Sequence, residues 1–140
     1  LLLSNSAFSQ QTNLLPDTAY SMARTLAFRG AWGEAQEVLV PLLQREPAYA
    51  DARLLLARTY AWAAQYDEAL AHLDTVLSDW PHQVEALALQ VEIAHWRGDA
   101  PRALVLVEEA LAHHPGTTEL LLKKARLCLQ LARYDEALQA

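Results

Sequence analysis

Arg58 and Trp62 stand four residues apart, so on a helix a guanidinium and an indole ring share one face and can form a cation-π pair. That pairing suits recognition, because charge beside a ring can grip an extended peptide or a sugar chain without bond chemistry. The remaining reactive side chains do not assemble into a catalytic set. His113 and His114 precede Pro115 at a helix end, where imidazoles help satisfy the last carbonyls. His72, His82 and His95 are scattered, without the spacing that puts two metal ligands on one helix face. The single Cys128 lies in the apolar run "ARLCLQLA" and reads as a small core residue rather than a nucleophile. "YDEAL" occurs at 66–70 and again at 134–138, each time at the expected start of a helix, where acidic residues favour the dipole. No Ser or Cys is matched with a His and a third group, and there is no Gly-rich phosphate loop. These residues imply no enzyme, no metal and no cofactor.

Side chains four apart need a helix to bring them together, and the composition favours one throughout. The chain has 140 residues, 53% of them hydrophobic, with Ala and Leu dominant and only 4 Gly and 6 Pro. It is long enough for a sizeable apolar core. Net charge is -6 and no basic run exceeds Lys123-Lys124, which argues against nucleic acid as a partner. No segment reaches the roughly 20 apolar residues of a membrane-spanning helix.

A 34-residue period organises the helices. Pro47, Pro81 and Pro115 share one register, as do Ala35, Ala69, Ala103 and Ala137. Ala23, Ala57 and Ala125 share another, with Val91 in the same column; Gly30 and Gly98 align with Ala64 and Ala132; Trp32, Tyr66 and Tyr134 align, with Ala100 as the exception. Small residues in two of these columns let paired helices approach to about 8–10 Å, and a Pro in every unit ends the second helix. Each unit is therefore a helical hairpin, with "RGAW", "AAQYD", "RGDAP" and "LARYD" as the turns between paired helices.

The pattern of small residue, Gly, aromatic, Ala and Pro at these offsets resembles the tetratricopeptide repeat. The resemblance implies an all-α fold, a right-handed superhelical array of hairpins forming an α-solenoid. Its repeats fall at about 16–49, 50–83, 84–117 and, in part, 118–140, within a domain at 13–140. The chain stops inside the expected second helix of the last unit, so a further C-terminal region is expected to follow. Pro41 falls inside a second helix and predicts an interruption near residues 37–41.

In that family the first helices line a concave groove. The resemblance puts Asp17, Asp51, Glu85 and Glu119 in one band there, Arg24, Arg58, Glu92 and Arg126 in a second, and Phe28, Trp62, Trp96 and Gln130 in a third. Two readings of these bands compete. Either Arg58 meets a neighbouring carboxylate while Trp62 and Trp96 stack along an inner seam, or the bands form a contact surface for a partner. On the second reading the candidate residues are Arg24, Phe28, Asp51, Arg58, Trp62, Glu92, Trp96 and Arg126.

The start, "LLLSNSAFSQQ", has three Leu followed by small polar residues, which reads either as the end of a secretory signal peptide or as a tail, covering residues 1–12. A narrower likeness supports export. Pro47, Tyr49, Asp51-Ala52-Arg53, the run Ala57 to Trp62, Tyr66-Asp67, Trp96-Arg97-Gly98 and Lys123-Lys124-Ala125 resemble the N-terminal periplasmic region of the YaiO-type outer-membrane β-barrel family. That resemblance implies a non-enzymatic scaffold on the periplasmic side of the outer membrane, associated with the membrane only through a C-terminal barrel. Its groove would bind a partner protein, a peptide or a polysaccharide. An accessory domain of an envelope glycan-processing enzyme, or a cytosolic adaptor, is the alternative expectation.

Overall fold

Short turns carrying Pro, Gly or Asp cut the Ala- and Leu-rich chain into seven helices in the computed structural model, which describes residues 14–139. They are α1 (Pro16–Phe28), α2 (Trp32–Arg45), α3 (Ala50–Trp62), α4 (Tyr66–Asp79), α5 (Val84–Trp96), α6 (Ala100–His113) and α7 (Thr118–Gln139). No strand occurs among the described residues. The leader read in residues 1–12 lies outside them.

Two kinds of turn alternate, and each has one chemistry. After α1, α3 and α5 the chain closes with a paired motif: Gly30 N–H donates to the Ala27 carbonyl and Ala31 N–H to that of Leu26. The same bonds recur from Ala64 to Ala61 and Gln65 to Tyr60, and from Gly98 to His95 and Asp99 to Ala94. This arrangement needs a left-handed residue, supplied by Gly30 at φ 88°, Gly98 at φ 84° and, less comfortably, Ala64 at φ 61°. The Cβ of Ala64 makes that conformation about 1–2 kcal/mol less favourable than a right-handed one. After α2, α4 and α6 a Pro-led turn follows, in which Tyr49, Gln83 and Thr117 donate back to Glu46, Trp80 and His114. Pro47, Pro81 and Pro115 are the second residues of these turns, where a fixed φ favours the bend.

Helix starts also use the local sequence. Asp99 caps α6 by accepting from Arg102 N–H at 3.1 Å, and Gln83 caps α5 by accepting from Ala86 N–H at 2.5 Å. Asp67 and Glu68 occupy the first turn of α4, as expected for the first "YDEAL".

The chain divides into two units, Leu1–Val76 and Leu77–Ala140. In the first, α1 packs on α2 and α2 on α3, around Ala19, Ala23, Ala35, Leu39, Leu42 and Leu56. The column alanines Ala23, Ala35 and Ala57 have no exposed surface, so the helix backbones meet over methyl groups. Thr59 is the buried polar residue here; its hydroxyl donates to the Leu56 carbonyl at 2.7 Å and accepts from the Gln36 amide at 3.2 Å. Both capacities are met, which removes the penalty of burying it. In the second unit α5 packs on α6 and α6 on α7, around Val91, Ala103, Val107, Leu120 and Leu127.

Two expectations fail, each for a physical reason. The helix with Pro41 is not interrupted: α2 runs from Trp32 to Arg45. Pro41 forfeits one hydrogen bond to the Glu37 carbonyl, but its neighbours Val38, Leu39, Leu42 and Leu43 are all buried, and breaking the helix would release all four. Pro41→Ala should therefore restore that bond within an intact helix and raise stability by about 1–2 kcal/mol. Urea unfolding followed by helical circular dichroism reads the gain; an unchanged midpoint would refute it.

The fourth hairpin turn, expected at "LARYD", is also absent. α7 continues from Thr118 to Gln139, with Tyr134 and Asp135 inside it rather than at a helix start. Ala132 occupies the column of Gly30 and Gly98, and a left-handed Ala is unfavourable unless the helix after it buries apolar surface. Continuing the helix through Ala132 avoids that cost.

Candidate functional site

The residues picked from the repeat columns end up in two different kinds of place. In the first unit, Trp62 is half-buried at the end of α3, packed edge-on to Phe28 at 5.5 Å and tilted to Trp32 at 6.4 Å between ring centroids. Phe28 itself is 60% exposed and carries the Arg24 guanidinium 5.6 Å from its ring centre. The cation-π pair expected at Arg58 and Trp62 is thus realised one repeat earlier, at Arg24 and Phe28. Arg58 is half-buried and forms no hydrogen bond, ion pair or ring contact among the described residues. Trp62 cannot face it because the ring turns toward the seam with Trp32. Asp51 is exposed in the first turn of α3.

Elsewhere in this unit are two polar groupings that sequence reading missed. Tyr49 donates to Asp17 Oδ1 at 2.7 Å, and burial together with that carboxylate pushes the Tyr49 hydroxyl up to about 12. His72 of α4 stacks flat on Tyr60 with centroids 5.6 Å apart and accepts at Nδ1 from the Arg53 guanidinium at 3.2 Å. Burial, then the Arg53 charge, lowers the pKa of His72 from 6.5. The folded chain therefore keeps His72 neutral where the unfolded chain takes up a proton. The stability it contributes is complete above about pH 6.5 and declines as pH falls toward the lowered folded value. His72→Gln should flatten the pH dependence of the urea midpoint between pH 7 and about pH 5 relative to the parent; an identical slope in the variant would dismiss His72 as its source.

In the second unit, α5 and α7 line an open cavity of about 290 Å³ bounded by Val91, Glu92, His95, Trp96, Lys123, Arg126 and Leu127. A second cavity, of about 470 Å³, shares His95 and Arg126 with it and extends past Leu129, Gln130, Arg133 and Tyr134. Three candidates, Glu92, Trp96 and Arg126, meet here. Glu92 is held by an ion pair with Lys123, which also faces Glu119 at 3.7 Å. His95 Nε2 lies 2.8 Å from Gln130 Oε1, and the Gln130 amide donates to the Tyr134 hydroxyl at 3.2 Å. Trp96 is 43% exposed and Tyr134 56% exposed. Arg126 and Arg133 form no ion pair among the described residues, so two guanidiniums stand over this surface with their charge uncompensated.

Elsewhere in this unit His114 reaches back to the Pro-led turn before α5, its Nε2 donating to the His82 carbonyl at 2.6 Å. The His82 and His113 rings lie against each other at a tilt of 31°, with centroids 4.1 Å apart. The two histidines at the end of α6 thus tie turn to turn, whereas helix-end carbonyls were their expected partners. Cys128 is exposed, against its expected place in a core. The residue in the same column of α5, Ala94, is buried.

Helical hairpins joined by these two turns, with small residues at the helix contacts, define a class of repeat module, and a sequence model of the tetratricopeptide repeat family matches residues 26–93 and 97–140. The chain belongs to the tetratricopeptide repeat family. Its fold is shared with TTC0263, a thermophilic tetratricopeptide repeat protein of Thermus thermophilus, with a TM-score of 0.72 at 19% identity over 88% of this chain and 69% of that one. It is also similar to the second such domain of human RPAP3, solved in complex with the HSP70 peptide SGPTIEEVD, with a TM-score of 0.68 at 16% identity over 81% and 98%. MamA of AMB-1 gives a TM-score of 0.65 at 21% identity over 94% and 79%. These neighbours establish an all-α fold of tetratricopeptide hairpins. A search of curated proteins finds no significant match.

Proposed function

We propose that this chain is a non-enzymatic scaffold whose second unit binds an extended protein segment carrying carboxylates and apolar side chains. Proteins of this family serve as interaction scaffolds, and one observation carries the reading here. Arg126 and Arg133 project over the α5–α7 surface without an ion-pair partner among the described residues, beside the exposed faces of Trp96, Tyr134 and Leu129. A guanidinium fork matches a carboxylate in two parallel hydrogen bonds, and exposed rings provide apolar contact at low entropic cost. The RPAP3 domain, which shares the fold, was solved with a peptide whose end is acidic. Selecting a random-peptide display library on the chain tests this: Asp, Glu and aliphatic residues should be enriched, and selected sequences without acidic bias would refute it.

The candidates of the first unit support a contact surface less well, since Trp62 is committed to packing. A polysaccharide is the second occupant we propose for the α5–α7 surface, supported by the exposed Trp96 ring, on which a sugar could stack. We further propose that the protein is exported and works on the periplasmic side of the outer membrane, as the resemblance to the YaiO-type family and the "LLLSNSAFSQ" start suggest. Fractionation of cells making the native protein would place it in the envelope; recovery in the cytosol would favour the adaptor alternative.

A further inference from the structure

Five histidines are spread along the chain, and three of them have a ring nitrogen engaged: His72 with Arg53, His95 with Gln130 and His114 with the His82 carbonyl. The other two, His82 and His113, come from different repeats and touch each other, with ring centroids 4.1 Å apart. No ring nitrogen of either makes a hydrogen bond among the described residues, and both side chains are exposed. Two imidazoles in contact, each with an unused lone pair, form a donor set that the fold itself does not employ.

The backbone beneath them is fixed. His82 is the third residue of the turn before α5, which the bond from Gln83 N–H to the Trp80 carbonyl closes at 3.1 Å. His114 Nε2 holds the His82 carbonyl at 2.6 Å, and Gln83 caps α5 through its side chain. His113 is the last residue of α6, one turn after buried Ala110. Both side chains therefore start from anchored positions, which keeps the ordering cost of binding low. Ring orientation is the soft variable. At a tilt of 31° the two lone pairs do not converge on one point, but rotation of an imidazole about its Cβ–Cγ bond is broad, and both rings lie at the surface.

Ligand chemistry says what such a pair takes. Neutral imidazole suits Cu²⁺, Zn²⁺ and Ni²⁺, whereas Mg²⁺ and Ca²⁺ prefer oxygen donors. Glu109, exposed one turn before His113, adds a negative charge on the same face of α6. No group of three or more imidazole, thiol or carboxylate ligands is assembled among the described residues, so water completes the coordination and the ion exchanges readily.

We propose that His82 and His113 together bind one divalent transition-metal ion where the turn before α5 meets the end of α6. Cu²⁺ binds most tightly, because it stands first among such ions for nitrogen donors. The ion clips turn to helix end beside the bond that His114 already makes. The site lies at the opposite end of α5 from Trp96 and does not depend on the peptide-binding reading.

Calorimetric titration of Cu²⁺ into the full 140-residue chain is the primary test, without an affinity tag and with Cys128→Ser to remove the exposed thiol. One saturable site is expected, with hyperfine structure from two imidazole nitrogens in the electron paramagnetic resonance spectrum. His82→Gln and His113→Gln should each weaken binding by about tenfold or more and remove one of the two nitrogens, with helical circular dichroism unchanged. His95→Gln should bind like the parent. Zn²⁺ should compete for the site, and should raise the urea midpoint of the parent but not that of His113→Gln. An absence of saturable binding, or a site that survives both substitutions, overturns the proposal. So does an equal loss in His95→Gln, which would mean that copper binds exposed imidazoles at large.

Discussion

Leu42→Ala lowers the unfolding free energy by about 2–5 kcal/mol, a large share of the roughly 5–15 kcal/mol available to a domain of this size. Leu42 has no exposed surface and packs with Leu39, Val38 and Leu43 on the buried side of α2. Removing its branched end forfeits the transfer energy of those carbons and leaves a cavity that a close-packed interior fills only in part. Pro41 beside it adds to the penalty, since a helix that already lacks one hydrogen bond depends more on its side-chain packing. Urea unfolding monitored by far-ultraviolet circular dichroism measures the loss. Val40→Ala, on the partly exposed side of the same helix, serves as the control and should stay within about 0.5 kcal/mol of the parent. Equal effects at the two positions would mean that burial does not set the stability of α2.

Reversing both free guanidiniums, Arg126→Glu with Arg133→Glu, should weaken binding of a selected acidic peptide by more than tenfold. Each pairing of guanidinium with carboxylate at a half-open surface contributes about 1 kcal/mol or more, and reversal replaces attraction with repulsion. Helical content should not change, because neither side chain makes an ion pair in the fold among the described residues. Fluorescence anisotropy at two ionic strengths reads the effect. The parent should lose affinity with added salt and the variant should not. Undiminished binding by the variant would move the site elsewhere. Weakening of a neutral control peptide to the same degree would show that the surface reads shape rather than charge.

The hairpin architecture was legible because it rests on residues that can do only one job in their position. A methyl group is required where Ala23, Ala35, Ala57, Ala69 and Ala103 sit, and a fixed φ is favoured where Pro47, Pro81 and Pro115 turn the chain. Pro41 and Ala132 misled the reading for a shared reason. Each states a local preference, and local preferences of a few kcal/mol yield to the packing around them. Four buried neighbours keep α2 whole through Pro41, and at Ala132 the unbroken α7 avoids a left-handed alanine. The site was half legible. Glu92, Trp96 and Arg126 meet on one surface as their columns implied, but Lys123, His95, Arg133 and Tyr134 join them through distances of about thirty residues along the chain or through the unbroken helix. Column arithmetic does not say that Lys123 will neutralise Glu92, which decides that the free charge there is positive.

The buried alanines set a one-sided limit on how this sequence can vary. At Leu42 or Leu56 a smaller residue does the damage. At Ala23, Ala35 or Ala103, each with no accessible surface, a smaller residue removes little contact, while one added methylene must push two backbones apart. Substitution scans should therefore split the interior into positions that resist shrinking and positions that resist growth. The second set marks where the helices of one unit are nearest, so the distances between them could be mapped from tolerance alone.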